Sequence, residues 1–336
     1  MARRRPTSLA KNQPQVSVVL GMHQAPLAHL LDTLASVLQQ EGVSLECLLV
    51  ADGTPPRPVW RAVQRLARRD PRLRLLLQPH SGLTRALRRG CRWARGQAIA
   101  RIDVGDRMLP GRLAQQWQQL QDHPDCVLVT CGVTRHGPAW EPLDPCECGQ
   151  APAAEPRWVN TLPPEKGLAI DVPHHGSVLM RRSAYLAAGG YRSSFYYAQD
   201  WDLWYRLALL GRFGHCPQTL YACRLFASGL SSRHWREQRR LAALALQLYQ
   251  ARCRGDDEGF WLGRARLIRP QPRAPLALPA LAWPDQRSAE GAYFIGECLR
   301  RRGDGRCQGY LMQALVQAPW LLKGWLRVLQ AAVALS

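Results

Sequence analysis

The residues best suited to chemistry lie in the stretch Ala98 to Arg112, which reads A-I-A-R-I-D-V-G-D-R-M-L-P-G-R. A short apolar strand, 98–102, delivers two carboxylates, Asp103 and Asp106, into a turn containing Gly105. Two carboxylates three residues apart can hold a divalent metal, because hard cations take oxygen ligands, or they can accept hydrogen bonds from sugar hydroxyls. Acids at the carboxyl end of a buried strand sit at the edge where α/β sheets bind ligands. The same residues also make an ordinary polar turn. A second acid, Asp200, opens an amphipathic segment, D-W-D-L-W-Y-R-L. There it can serve as a proton acceptor or simply cap a helix. Trp201 and Trp204 beside it present faces that suit sugar rings, and they also have the spacing of core residues on a helix.

The elements that must position these acids follow from periodicity. Runs of apolar, often β-branched residues predict buried strands at 16–20, 45–50, 73–77 and 98–102. Between them, helical spacing recurs at 27–40, 59–69 and 82–94, and a helix is expected at 111–123 after Pro110. Strand and helix alternate, which implies parallel strands with right-handed crossovers and a doubly wound, nucleotide-binding half. The first loop lacks G-x-G-x-x-G and no Walker A sequence occurs, so dinucleotide and P-loop readings are disfavoured. Further strands are expected at 126–133 and 174–180, and helices at 182–188, 200–211 and 233–254. The stretch 135–166, rich in Pro, Gly and Cys, reads as a long loop near the site.

Composition sets the outer bounds. With 336 residues, 46% of them hydrophobic, the chain can bury a sizeable core. The net charge of +20 comes almost wholly from arginine and suggests an anionic partner: a nucleotide, a polyanionic sugar, a membrane face or nucleic acid. The arginines are spread along the chain and no recognition motif accompanies them, so no nucleic acid is expected. Eleven cysteines without a C-x-x-C pair argue for reduced thiols and a cytoplasmic location. Cys146 and Cys148 are too closely spaced for a usual zinc site. The basic N-terminus lacks the apolar run of a secretory signal, and no run reaches the ~18 residues of a membrane span. The expectation is a cytoplasmic protein that meets a membrane, if at all, through its surface at the inner face.

Four blocks line up in order. They are V-S-V-V-L-G-M-H-Q from Val16, L-L-V-A-D-G-T around Asp52, G-L-T-R-A-L-R-R-G-C-R-W-A-R-G-Q-A-I-A-R-I-D-V-G-D from Gly82, and H-G-S-V-L-M-R-R-S-A-Y through A-Q-D-W-D-L-W-Y-R-L. Together they resemble family 2 of the inverting glycosyltransferases, which have the GT-A fold, over Val16 to Ser232. The resemblance implies a GT-A type doubly wound mixed sheet with a Rossmann-like nucleotide-binding half. It also implies a nucleoside diphosphate sugar donor, UDP-linked, bound at the sheet edge. The acceptor would be a hydroxyl of a glycan, lipid-linked sugar or cell-surface polysaccharide. Asp52 takes the place of the acid that holds the nucleotide base, with Ala51 where a second acid is usual. Asp103-Val104-Gly105 matches the D-x-D motif, but Gly105 replaces its second acid. Asp103 and Asp106 are thus the candidate ligands for Mn²⁺ or Mg²⁺, and dependence on a divalent metal is left open. Arg88 stands where the family often has Asn and could pair with the diphosphate or remain a solvated helix charge. His175, before Gly176, could touch phosphates or acceptor, or be a core histidine. Arg224 and Ser231 match a weaker pattern that folds over the donor. Asp200 matches the general base, with Gln199 replacing the usual Glu before it.

The expected organisation is a disordered basic N-terminus (1–15), a glycosyltransferase domain (16–232) and a helical C-terminal extension (233–336) with a Pro-rich linker around 269–284. The alternative is a non-catalytic relative that keeps the GT-A fold and binds a nucleotide or glycan without transfer, and Gly105 is its main support.

Overall fold

The computed structural model describes residues 13–145, 157–158, 172–229, 233–270 and 286–335. The N-terminal arm before residue 13, most of the Pro-rich linker, Cys146, Cys148 and Ser231 lie outside these. In chain order the elements begin β1 (Val16–Met22), α1 (Leu27–Leu38), β2 (Leu45–Asp52), α2 (Arg57–Arg69), β3 (Leu73–Gln78), α3 (Leu83–Trp93) and β4 (Ala98–Arg101). They continue with β5 (Arg107–Met108), α4 (Arg112–Asp122), β6 (Cys126–His136), β7 (Pro142–Pro145), β8 (Arg157–Trp158) and β9 (Leu179–Arg181). Then come α5 (Arg182–Ala187), α6 (Gln199–Ala208), β10 (Arg212–Arg224), α7 (Trp235–Arg254) and α8 (Gly259–Leu267). Finally there are α9 (Gln286–Arg301), α10 (Cys307–Gln317) and α11 (Leu322–Leu335).

Among the described residues one mixed sheet runs β3-β2-β1-β4-β9-β6-β10-β5, with β7 on β6 and β8 on β10. The half built from β3, β2, β1 and β4 is parallel, as alternation of strand and helix requires. β9 then enters antiparallel between β4 and β6. Every residue of β2 is buried, which is why its stretch Cys47 to Ala51 is wholly apolar: helices cover both faces. On α1 the buried residues Leu30, Thr33, Leu34 and Val37 recur at helical spacing. On α3, Gly90 lets the helix lie against the sheet, since a Cβ there would overlap Val19 and press on Val50.

Two expectations change, and one long strand was not foreseen. The segment 174–180 is not one strand: a 3₁₀ turn, His175–Ser177, precedes the short β9. The stretch 135–166 is not wholly loop, since β6 continues to His136 and β7 and β8 add to the sheet. The thirteen-residue β10 follows α6 and pairs parallel to β6 through bulges near Cys216 and Thr219. These bulges bend it so that its far end returns to the acidic turn.

Helices α7 and α8 share a core with α6, through Leu241, Ala245, Leu248, Tyr249 and Ala265. Helices α9 to α11 form a smaller cluster of their own around Ile295, Leu299 and Leu311, which also takes in Leu143 and Leu225. Tyr310 Oη donates to Glu141 Oε1 at 2.6 Å and fastens this cluster to the sheet.

Candidate active site

A cleft of about 910 Å³ opens where the C-terminal end of β4, the 174–175 turn, the start of α6 and the end of β10 meet. Arg101, Asp103, Asp106, His175 and Asp200 all line it, so acids nearly a hundred positions apart share one hollow. Helix α7 and the first half of α9 close its other side. Asp52 and Arg88 do not line the cleft.

The acidic turn is held from below. Gly105 N–H donates to Thr33 Oγ1 and Thr33 Oγ1 donates to the Asp106 carbonyl, both at 2.9 Å, so one α1 hydroxyl fixes the turn. Gly105 has φ +104°, a conformation that suits glycine, and a Cβ there would lie 3.1 Å from the Phe226 ring. Asp103, with 43% of its side chain exposed, faces the cleft and takes both guanidinium nitrogens of buried Arg101 at 2.5 Å. Asp106 is buried. It accepts from Tyr221 Oη at 2.5 Å and from Arg224 N–H at 2.8 Å. Burial, then the charge of Asp103, pushes its carboxyl up to about 7, against the pull of those two donors.

Beneath the turn, buried Arg112 donates from Nη2 to the Val178 carbonyl at 3.2 Å and stacks over the Tyr221 ring. Gln116 Nε2 donates to the carbonyls of Val129 and Ser177 at 2.9 and 2.8 Å. These α4 side chains hold the 3₁₀ turn that presents His175. His175 Nε2 lies 2.8 Å from Tyr191 Oη, and Nδ1 lies 3.9 Å from Asp200 Oδ2. Burial, then Arg101, holds the imidazole well below its ordinary range, so it is neutral at pH 7.

Asp200 sits in the first turn of α6. The N-cap position is Ala198, a left-handed non-glycine residue with φ +50°, so Asp200 is not the capping residue. Its side chain is 19% exposed toward the cleft. Burial raises its carboxyl above the ordinary aspartate value, opposed by backbone N–H groups of the helix start and by Arg101. Asp202 turns away and pairs with Arg206 at 2.5 Å. Trp204 is core, its indole N–H donating to the Pro173 carbonyl at 3.2 Å, whereas Trp201 lines the cleft.

Asp52 closes β2 at the neighbouring sheet edge. Oδ1 accepts from Gln78 Nε2 and Ser81 N–H, and Oδ2 from Gly82 N–H, each at 2.8 Å. His80 Nδ1 stands 2.9 Å from Oδ2. Its carboxylate thus organises the 78–82 turn. Arg88 lies on the exposed side of α3, opposite the buried Thr84, Leu87 and Cys91.

Hard divalent cations want several converging oxygens. Both Asp103 oxygens are taken by a guanidinium, both Asp106 oxygens carry donors, and Gly105 supplies none. As built, the turn does not fit a divalent ion. Among the described residues, His23, Asp52 and His80 bring their ligand atoms within 4.8 Å of one another, but none of the three lines the cleft.

Sequence reasoning missed Tyr221, Phe226 and Tyr191. Tyr221 and Phe226 act on the acidic turn from the other end of the domain, and Tyr191 on His175 from beyond β9 and α5, which no local pattern encodes.

A mixed sheet with acids gathered at the end of its parallel half, beside a roomy cleft, defines a GT-A glycosyltransferase fold. The family model for glycosyl transferase family 2 matches residues 17–186, just over half of the chain, and the chain belongs to that family. It is 29% identical to the O-antigen biosynthesis protein RfbC of Myxococcus xanthus over 66% of this chain, although it spans only 16% of that relative's length. It is 30% identical to EpsE of Bacillus subtilis (strain 168), covering 63% of this chain and 73% of the relative. It is 24% identical to the amylovoran biosynthesis glycosyltransferase AmsE of Erwinia amylovora, covering 74% and 89%. Among solved structures, S. aureus TarS 1-349 matches 96% of this chain and 90% of its own with a TM-score of 0.53 at 12% identity. GalNAc-T7, solved with UDP, GalNAc and Mn²⁺, matches 75% and 56% with a TM-score of 0.51 at 13% identity. These two likenesses concern the fold.

Proposed function

We propose that the protein transfers a sugar from a nucleoside diphosphate sugar, UDP-linked, to a hydroxyl of a glycan or lipid-linked sugar, with inversion and with Asp200 as the general base. The observation that carries this reading is the shared cleft: a carboxylate turn at 103–106 faces a second carboxylate at 200 across space for two sugars. The nucleotide base of the donor rests on the 78–82 turn that Asp52 organises, and Asp103 receives ribose or sugar hydroxyls.

The chemistry is one displacement. Asp200 takes the proton of the acceptor hydroxyl as its oxygen attacks the anomeric carbon and the bond to the diphosphate breaks. The burial that raises the Asp200 carboxyl makes it a stronger base than a free aspartate. Neutral His175, held by Tyr191, stands 3.9 Å from the carboxylate and leaves its charge intact. The departing diphosphate needs positive charge. Arg101, Arg224 and Arg239 all line the cleft, and we assign this task to them rather than to a divalent ion. Arg88, on the far face of α3, plays no part in it.

Donor turnover with the purified protein, with and without EDTA and across UDP-sugars, tests the reading. Transfer or slow hydrolysis that EDTA reduces less than ~twofold is expected, against the large losses that follow removal of a catalytic metal. Donor binding without turnover across many acceptors would favour the non-catalytic relative that Gly105 suggests.

A further inference from the structure

The C-terminal helices carry a surface that the transfer chemistry does not use. On α11 the residues Leu322, Trp325, Leu326 and Leu329 follow the i, i+3, i+4, i+7 spacing of one helix face, and all are exposed, Leu322 to 80% and Leu329 to 66%. The opposite side is also apolar: Gly324 and Ala331 are buried, and Val328 packs on the α9–α10 cluster. The helix thus satisfies its packing with one face and still offers a second. Met312, Val316 (73% exposed) and Trp320 add apolar surface on α10 and the connecting turn. The indole N–H of Trp325 donates to the Pro319 carbonyl at 2.8 Å, which fixes this ring at the surface.

Charge decides the occupant. Residues 307–336 contain no aspartate or glutamate, and their charged side chains are Lys323 and Arg327. Arg327 pairs with Glu297 at 3.3 Å, and Glu297 also meets Arg300 and Arg301, so the neighbourhood keeps an excess of positive charge that a second copy packed through the same face would only repeat. An anionic bilayer brings the opposite charge, an apolar layer for the leucines and an interfacial zone for the two tryptophans. Among the described residues no helix is long and apolar enough to cross a membrane. The arrangement is therefore that of a helix lying in the plane of the headgroups.

We propose that the exposed face of α11, with Val316 and Trp320, docks the protein on an anionic lipid surface. Helix α9, which packs on α10, also supplies Glu290, Phe294 and Ile295 to the wall of the cleft. The docking element is thereby tied to the transfer site. Resting on the transferase reading, the same geometry selects an acceptor carried on a lipid at that surface.

The test is flotation of the full-length protein with phosphatidylglycerol–phosphatidylcholine vesicles and with phosphatidylcholine vesicles, at near-physiological salt. Wild type is expected to float with the anionic vesicles and to be released as salt rises. Leu326→Gln with Leu329→Gln should cut the bound fraction ~tenfold or more. Both side chains are exposed, so the thermal midpoint should stay close to wild type. A wild type that stays in solution with both vesicle types would overturn the proposal, as would a double variant that floats equally well. A wild-type dimer by light scattering that the same pair of substitutions dissolves would assign the face to a second copy and refute lipid docking. None of these readouts uses a donor, so a failure here is separable from a failure of the transferase reading.

Discussion

Replacing Asp200 by asparagine isolates proton transfer from everything else the cleft does. The substitution keeps the shape of the side chain and its place in the first turn of α6, and it removes only the charge and the proton affinity. A positioned general base contributes about 10²- to 10⁴-fold, so kcat should fall by that factor, about 3–5 kcal/mol in the barrier. The donor contacts we propose, at Asp103 and the arginines, do not involve Asp200, so the Kd for UDP should move less than ~twofold, as expected for a group acting only in the transition state. Two further readouts follow from burial. The Asp200 carboxyl is raised in the folded protein, so wild-type kcat/KM should fall on the acid side through a pKa above that of a free aspartate, and this limb should vanish in the variant. A raised acid holds its proton better when folded than when unfolded, so its ionisation weakens the fold as pH rises above the unfolded value. The variant lacks that burden and should melt no lower than wild type at pH 7–8. Steady-state kinetics, calorimetry and thermal melts read these in parallel. Turnover within ~threefold of wild type, well short of a base's usual contribution, would remove Asp200 from the reaction.

The other predictions concern the frame and the acceptor side. Asp106 binds its proton up to about pH 7 in the fold but only to about 3.8 when unfolded, so the folded state loses stability between those values as pH rises. The melting temperature of Asp106→Asn relative to wild type should therefore climb from pH 5 to pH 8, and a flat difference would contradict the burial argument. Gly176→Ala would force a methyl group into the Tyr221 ring, whose hydroxyl holds Asp106, and should cost about 1–3 kcal/mol in chemical denaturation. A change below ~0.5 kcal/mol would mean that this contact relaxes freely. Trp201→Ala should raise the KM for a glycan acceptor by about 5- to 30-fold while leaving UDP affinity unchanged, if its ring stacks on the acceptor. An effect on donor affinity instead would relocate Trp201 to the other half of the cleft.

The parallel half of the sheet was legible because its strands are predominantly apolar runs and its helices repeat with helical spacing. Val16 to Leu20 and the segment around Leu48 are buried on both faces, and little else produces such runs. The second half was harder. β10 contains Gly214 and Pro217 and shifts register three times against β6, so no alternation of apolar and polar residues survives in it. β5 is two residues long and exists only because β10 returns beside it. The candidate acids at 103, 106 and 200 could be named in advance because the four blocks of the family resemblance single them out from acids that merely form turns and caps. Their settings could not. The clasp of Arg101 on Asp103 is local, but Tyr221 reaches Asp106 across 115 positions, and Phe226 closes over Gly105 from a loop with no pattern of its own. The occupation of Asp52 by Gln78, Ser81 and Gly82 likewise depends on how β2 and β3 end side by side.

The central claim is a single displacement at the anomeric carbon within the 103–200 cleft. Proton NMR of a reaction between an α-linked UDP-sugar and an accepted glycan, followed from mixing, tests it most directly. The expected result is loss of the donor anomeric signal and growth of a product signal with the large coupling of a β linkage. An α-linked product, or a donor that persists unchanged while the protein binds it, would contradict the mechanism.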